Sequence, residues 1–247
     1  MFKNKVIVIA GATGTVGSGA VRAFLNEGAH VVGISRSAEK LEDLKKRLTI
    51  KSEEPFYSVA GDFNNDTEAA KTKKALIAVL NGKAIDHVVS SIGFVTLATA
   101  PTKTDSSLVR DAFEQGFFNI VLMAKYILPE LKNQAGSSYT IVSGGLAHGL
   151  PGFIPNVENL WLATVKNAAV NSLTHGLNAE MINDKVRVNT ICIHFGVAPL
   201  GGKTNQMGMP ADNDTLALAP ALMEVAKGTA KGEIICLERW EDVKKSR

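Results

Sequence analysis

Gly11, Gly14 and Gly17 recur every third residue directly after the apolar run 6–10, and Gly19 follows closely. Glycine is needed where a chain turns sharply, where a ligand approaches the backbone, and where a helix packs tightly on a strand. A strand that passes through such glycines into a helix turns backbone N–H groups toward an anion. The positive end of the helix dipole adds to that attraction. The chemistry of this spacing is recognition of a diphosphate, in the strand-to-helix context that a dinucleotide fingerprint requires. Gly11, Thr13, Gly14, Thr15, Val16 and Gly17 are the residues expected around it.

A second signal lies at the end of the next apolar run, which reads Gly33-Ile34-Ser35-Arg36-Ser37. A site for NAD usually has an acidic side chain there, accepting from the ribose hydroxyls. Here the acid is missing and a guanidinium stands where a 2′-phosphate would lie. A charge-assisted bond to phosphate contributes about 1.5–3 kcal/mol. Ser35 and Arg36 therefore point to NADP as the cofactor.

These residues need a frame of alternating strands and helices. Short apolar runs at 6–10, 30–35, 57–60, 85–90, 139–143, 186–193 and 233–237 alternate with longer amphipathic ones. That order predicts parallel strands joined by helices. The helices are expected over 18–26, from a cap at Ser37 through Leu41, Leu44 and Leu48, over 66–80, 107–131 and 158–182, and from about 214 to 227. Asn81-Gly82 closes the third of them. A Gly-, Pro- and Met-containing stretch over 194–213 is long for a loop in a compact domain and reads as a lid.

The 247 residues, 45% hydrophobic and 21% charged, suit one α/β domain with a full core. A net charge of +3 without a basic block argues against nucleic acid or a membrane surface as partner. Cys192 and Cys236 sit in apolar strand-like runs, read as buried small hydrophobes, and lack metal-ligand spacing, so no metal is expected. The apolar run after Lys5 is too short for a signal core or a membrane span, and a cytoplasmic chain is expected.

At this point the chain resembles the short-chain dehydrogenase/reductase family over nearly its full length. Gly61-Asp62-Phe63 resembles the segment whose acid contacts the adenine, and Ser90-Ser91-Ile92-Gly93 stands where the family commonly has Asn-Asn-Ala-Gly. Ala168-Ala169-Val170, with Leu173 and Glu180, is similar to the helix after the catalytic lysine. Val186-Arg187-Val188-Asn189 matches the start of strand six. The resemblance implies a Rossmann-type, doubly wound sheet of seven parallel strands in the order 3-2-1-4-5-6-7. It adds Asp62, Phe63, Ser91, Ile92, Gly93, Lys166 and Gly196 to the cofactor-binding set. It also implies a homodimer or homotetramer paired through the two long helices, where Ala168, Ala169 and Ser172 permit close approach.

The family's catalytic set is Asn, Ser, Tyr and Lys, with Tyr and Lys four apart on one helix face. None of the three tyrosines, Tyr57, Tyr126 and Tyr139, lies in the matching helix. Aligned on Lys166, Leu162 takes the tyrosine position. Aligned on the downstream match, Ala163 takes it and Asn167 takes the lysine position. Gly116 replaces the asparagine, and the serine falls near Gly144 or Gly145, with Ser143 just before. The usual Pro-Gly after strand six reads Ile193-His194-Phe195-Gly196. The segment 138–147 is similar to a divergent branch that lacks the Tyr–Lys pair.

Ser143, His148, Lys166 and His194 are the candidates for a replacement proton path. Phe94, Leu97, Leu150, Phe153, Trp161, Met207 and Met209 border the expected substrate cleft and suggest an apolar pocket. The reading is an NADP(H)-dependent oxidoreductase with a nonstandard proton path, acting on a small or medium apolar carbonyl or an imine or iminium. Its rivals are a dinucleotide-binding pseudoenzyme or sensor, and a non-redox enzyme that keeps NADP as a structural cofactor.

Overall fold

In the computed structural model, seven apolar segments pair side by side in the order β3-β2-β1-β4-β5-β6-β7, and every pairing is parallel. The structure describes residues 2–48, 56–148, 159–181, 183–205, 208, 210–211, 214–239 and 241–242. The strands are β1 (Val6–Ala10), β2 (His30–Ser35), β3 (Phe56–Ala60), β4 (His87–Ser90), β5 (Ser138–Gly144), β6 (Arg187–Ile193) and β7 (Ile234–Leu237). The helices are α1 (Thr15–Asn26), α2 (Ala38–Arg47), α3 (Asp66–Leu80), α4 (Ser106–Phe113), α5 (Asn119–Ile127), α6 (Trp161–Glu180) and α7 (Ala219–Lys227).

Parallel strands covered on both faces must be apolar throughout. All five residues of β1 are buried, and successive ones feed opposite cores. Ile7 and Ile9 join Val21, Phe24 and Leu222 on one face, while Val6, Val8 and Ala10 join Leu76, Ile120 and Met123 on the other. Ser37 and Asn81 bound helices as expected: Ser37 accepts from the Lys40 N–H at the start of α2, and Asn81 closes α3 in the left-handed conformation. Asn65, which the sequence reading did not single out, caps the start of α3 by accepting from the Glu68 N–H.

The helix expected over 107–131 is not continuous. It comprises α4, a wider π turn at Glu114–Phe118, α5 and a 3-10 turn at Leu128–Glu130. Apolar periodicity runs through all four, so the pattern conceals the break. Gly116 lies inside the π turn, a form that recurs at functional sites. The helix expected near 214–227 likewise opens as a 3-10 turn, Thr215–Leu218, before Pro220 starts α7. The segment 194–205 folds back on the chain: Thr215 N–H donates to the Ala198 carbonyl and Gly201 N–H to Asp214.

A polar knot pins the N-terminal edge of the sheet. The buried Asp86 carboxylate accepts from the Val6 N–H at 2.9 Å and pairs with Lys132 at 2.8 Å and Lys5 at 3.3 Å. Burial alone would raise its pKa, but the Lys132, Val6 and Lys5 contacts hold it below the usual carboxylate range. Next to it, His87 bonds Ser138 Oγ at 2.9 Å, and burial pushes its imidazole pKa down to about 4. An unfolded chain takes up that proton near pH 6.5, whereas the folded chain resists it until about 4. Stability should therefore fall by up to about 3 kcal/mol from this group as pH drops from 6.5 to 4. His87→Gln should flatten that part of the curve in urea titrations run across this range. An unchanged slope would remove His87 as the cause.

Candidate active site

The strands order themselves so that β1 and β4 diverge in connection at the sheet centre, and there the C-terminal ends open into a cleft. Two adjoining cavities, of about 520 and 430 Å³, share Gly14, Ser91, Ile92, Gly93 and Phe94 on their walls. The smaller is bounded by Gly11, Thr13, Ser35, Arg36, Asp62 and Phe63. The larger extends past Thr15 and Val16 to Ser143, Lys166, His194 and Gly196.

The loop between β1 and α1 is shaped by contacts that exclude a side chain. Gly11 has φ +75°, and a Cβ there would overlap the Ser91 carbonyl. At Gly17 a Cβ would overlap the Gly11 carbonyl oxygen and lie 2.8 Å from its carbon. Gly14 caps α1 without any side chain over the first-turn amides, and no acid lies in that turn. The N-terminal end of α1 thus faces the cleft with backbone donors and the positive end of its dipole. Ser35 holds Thr13 by a 2.8 Å hydroxyl–hydroxyl bond, and the exposed Arg36 forms the outer rim. Asp62 accepts from the Phe63 N–H at 2.7 Å.

Inside the cleft are buried polar atoms with no partner among the described residues: Ser143 Oγ on the larger cavity and Asn119 Oδ1 on the smaller. Buried polar groups left this way in a cleft mark where a polar ligand completes the bonding. The backbone cradle and these atoms fit a dinucleotide. The Gly11 and Gly14 amides are already bonded to the Ile34 and Gly11 carbonyls and shape the loop, so the N-terminus of α1 would hold its diphosphate.

At the far end the side chains have changed places. A Cβ at Gly116 would sit 2.5 Å from Lys166 Cδ and 2.9 Å from its Nζ. The lysine therefore occupies the space that a side chain at 116 would fill. It is 2% exposed, donates to the Phe94 carbonyl, and lies 4.8 Å from that ring's centre. Burial lowers its pKa to about 8. In the same way a Cβ at Gly144 would lie 2.8 Å from Asn167 Nδ2. Lys166 and Asn167 both line the cavity.

None of the three tyrosines lines either cavity. Tyr57 is on β3, Tyr126 bonds Asp66 at 2.9 Å, and Tyr139 is fully buried in β5. Leu162 packs against Ala98 and Ala112 in a small separate core. Of the four proton-path candidates, Ser143, Lys166 and His194 share the cavity. His148 is not on its wall but stacks on His194 at 5.3 Å between ring centres. Burial and the neighbouring His148 lower the His194 pKa.

The apolar lining differs from the expected one. Phe94 is on the wall, but Leu97 is 54% exposed, and Trp161 donates its indole N–H to the Thr99 carbonyl away from the cleft. Leu150, Phe153, Met207 and Met209 lie outside the described residues. Sequence reasoning missed Val95, Leu146, Leu160, Phe195 and Val197 on the wall. Each of them follows a strand end or opens a helix, which is the positional signal that was available.

Strand order, switch-point cleft and glycine loop define a doubly wound α/β protein of the Rossmann type. The short chain dehydrogenase family model matches residues 5–207. Serine 3-dehydrogenase of Agrobacterium fabrum is 30% identical over 190 residues, covering 75% of this chain and 69% of that one. An NADH-dependent reductase solved in complex with NAD superposes with a TM-score of 0.75 at 17% identity, over 96% of this chain and 95% of that one. A Pseudomonas aeruginosa short chain oxidoreductase described as containing an atypical catalytic centre gives 0.78 at 19% identity, over 94% and 95%. The chain belongs to the short-chain dehydrogenase family.

Because a side chain at position 17 has nowhere to go, Gly17→Ala must push α1 off β1. The variant should lose about 1–3 kcal/mol of stability and at least tenfold in dinucleotide affinity. Urea denaturation and calorimetry with NADPH check both. Wild-type affinity in the variant would mean that the loop does not bind the diphosphate.

Proposed function

We propose that this protein is an NADP(H)-dependent oxidoreductase that reduces an apolar carbonyl or imine with Lys166 in place of the family's tyrosine. The observation that carries the reading is a buried lysine on the wall of the cleft. It shares that cavity with a buried Ser143 hydroxyl that has no partner among the described residues, and no tyrosine lines either cavity. The bound nicotinamide would supply the hydride. The chain's own residues then bind, orient and protonate.

Lys166 is protonated at neutral pH, and its pKa of about 8 brings it closer to the working pH than an exposed lysine would be. Its ammonium is held in place by the Phe94 carbonyl and ring. Ser143 has a free hydroxyl to orient a carbonyl oxygen. Phe94, Leu146, Leu160 and Phe195 suit an apolar substrate of small or medium size. An iminium acceptor needs no proton and would depend less on Lys166. The loop after β6, with Asn205 and Pro210 on the cavity wall, is the proposed lid.

Arg36 on the rim supports NADP over NAD. Arg36→Ala should weaken NADPH binding by about 10–100-fold in calorimetry, with NADH affected little. For a carbonyl panel, turnover should decline as pH rises through about 8, where Lys166 loses its proton. Lys166→Met should lower turnover by about 10²–10⁴-fold and remove that limb. NADPH binding without oxidation by any carbonyl or imine would favour the sensor reading, which the glycines at 116 and 144 also suit. Product formed at constant nicotinamide absorbance would favour the non-redox one.

An even homo-oligomer is the proposed assembly. Val165 on α6 and Phe118 before α5 are 49% and 53% exposed, and Ala169 and Ser172 continue the Val165 face of the helix. Light scattering after gel filtration should give a dimer or tetramer that Val165→Glu shifts toward monomer. A wild-type monomer at micromolar concentration would overturn it. Among the described residues no helix is long and apolar enough to cross a membrane. The free thiols of Cys192 and Cys236 suit a reducing cytoplasm. A disulfide between them in protein isolated without reductant would argue against that location.

A further inference from the structure

We infer that the C-terminal ends of β5, β6 and β7 form a zinc site with His148, Cys192, His194 and Cys236 as ligands. One ligand atom from each lies within 4.8 Å of every other. The inference is independent of the dinucleotide reading, because it rests on a different set of side chains.

The sheet register builds the site. Cys192 and Cys236 are direct partners on neighbouring parallel strands, which brings their thiols to one face. His194 follows Cys192 by two residues and so rises on the same face. His148 ends the 3-10 turn after β5, with Nδ1 3.9 Å from Cys236 Sγ and its ring stacked on His194. Gly145 makes the room, since a Cβ there would lie 2.6 Å from two atoms of the His194 ring.

Three features point to a cation. His194 Nε2 is buried with no partner among the described residues. Cys192 is a free thiol, and its sulfur already accepts from the buried Asn171 Nδ2 at 3.7 Å. Such an outer bond steadies a metal-bound thiolate. Two thiolates and two neutral imidazoles also balance a divalent charge, which a half-buried pocket requires.

Zn–S bonds of about 2.3 Å and Zn–N bonds of about 2.0–2.1 Å need the cluster to contract by roughly an ångström. A sulfur and imidazole set favours zinc over magnesium or calcium. Four protein ligands close the coordination shell, so the ion is structural and ties three strand ends together beneath the cleft. Binding displaces one proton from each thiol to solvent, with no change in oxidation state. His148 and His194 are then ligands and leave the proton path, which is left to Lys166 and Ser143.

The full chain, stripped with chelator under reductant, should take up one equivalent of zinc in competition with a chromophoric chelator. Cobalt should give the intense visible bands and sulfur-to-metal charge transfer of a tetrahedral thiolate site. Cys236→Ser should abolish the charge transfer attributable to that sulfur and weaken zinc at least tenfold. His148→Ala, at an exposed position whose loss should not harm folding, should weaken zinc at least tenfold and shift the cobalt bands. Asn171→Ala should weaken zinc by about 10–100-fold. A folded chain that leaves all zinc with the chelator would overturn the site. So would a cobalt spectrum of octahedral type, or zinc affinity unchanged in His148→Ala and Cys236→Ser.

Discussion

The structure depends on how closely one stretch of backbone approaches another. At Gly17 the first turn of α1 lies against the Gly11 carbonyl, and at Gly11 the loop lies against the Ser91 carbonyl. No side chain fits in either gap. These contacts lower the helix onto β1, aim its N-terminal amides along the cleft, and join the ends of β1 and β4 at the sheet's switch point. The helix dipole and the first-turn amides of α1 are then fixed before any ligand arrives, so little ordering cost remains at binding.

The far end of the cleft uses the same device for another purpose. Gly116, Gly144 and Gly145 each give up a side chain, and each space is taken by a residue from another element: Lys166, Asn167 and His194. Packing density is thereby preserved while the chemistry changes. A buried ammonium with a lowered pKa fills the space beside Gly116. The desolvation that lowers the Lys166 pKa also costs stability at neutral pH, because the folded chain holds a charge that the unfolded chain would hydrate. That cost fades as pH rises above about 8.

The same wall carries two kinds of polar group. On the cleft side, Ser143 and Lys166 face a space large enough for a ligand. One strand further out, Cys192, Cys236, His148 and His194 face one another. His194 and Gly145 belong to both neighbourhoods, so an ion held there would stiffen the floor on which a substrate rests. This matters most for β7, a four-residue strand that pairs, among the described residues, with β6 alone.

Much of this protein was legible in short stretches of chain. The alternation of apolar runs with amphipathic ones determined seven parallel strands and their order through the family resemblance. Ser37 and Asn81 marked helix ends, and the glycine triplet marked the tight loop between β1 and α1, because each of these effects acts within a few residues. The sequence also showed that the phenol is missing whichever register is chosen. It could not say whether Lys166 faces the cleft, because a one-residue ambiguity rotates a helical side chain by about 100°. It ran one helix through the π turn at Gly116, because the apolar period continues across it. It saw two isolated cysteines and two loop histidines, because strand register is set by contacts forty or more residues apart, and Cys192 meets Cys236 across such a contact. Tertiary packing alone decided which of these polar groups share a space, since burial removes the water that would otherwise keep them apart.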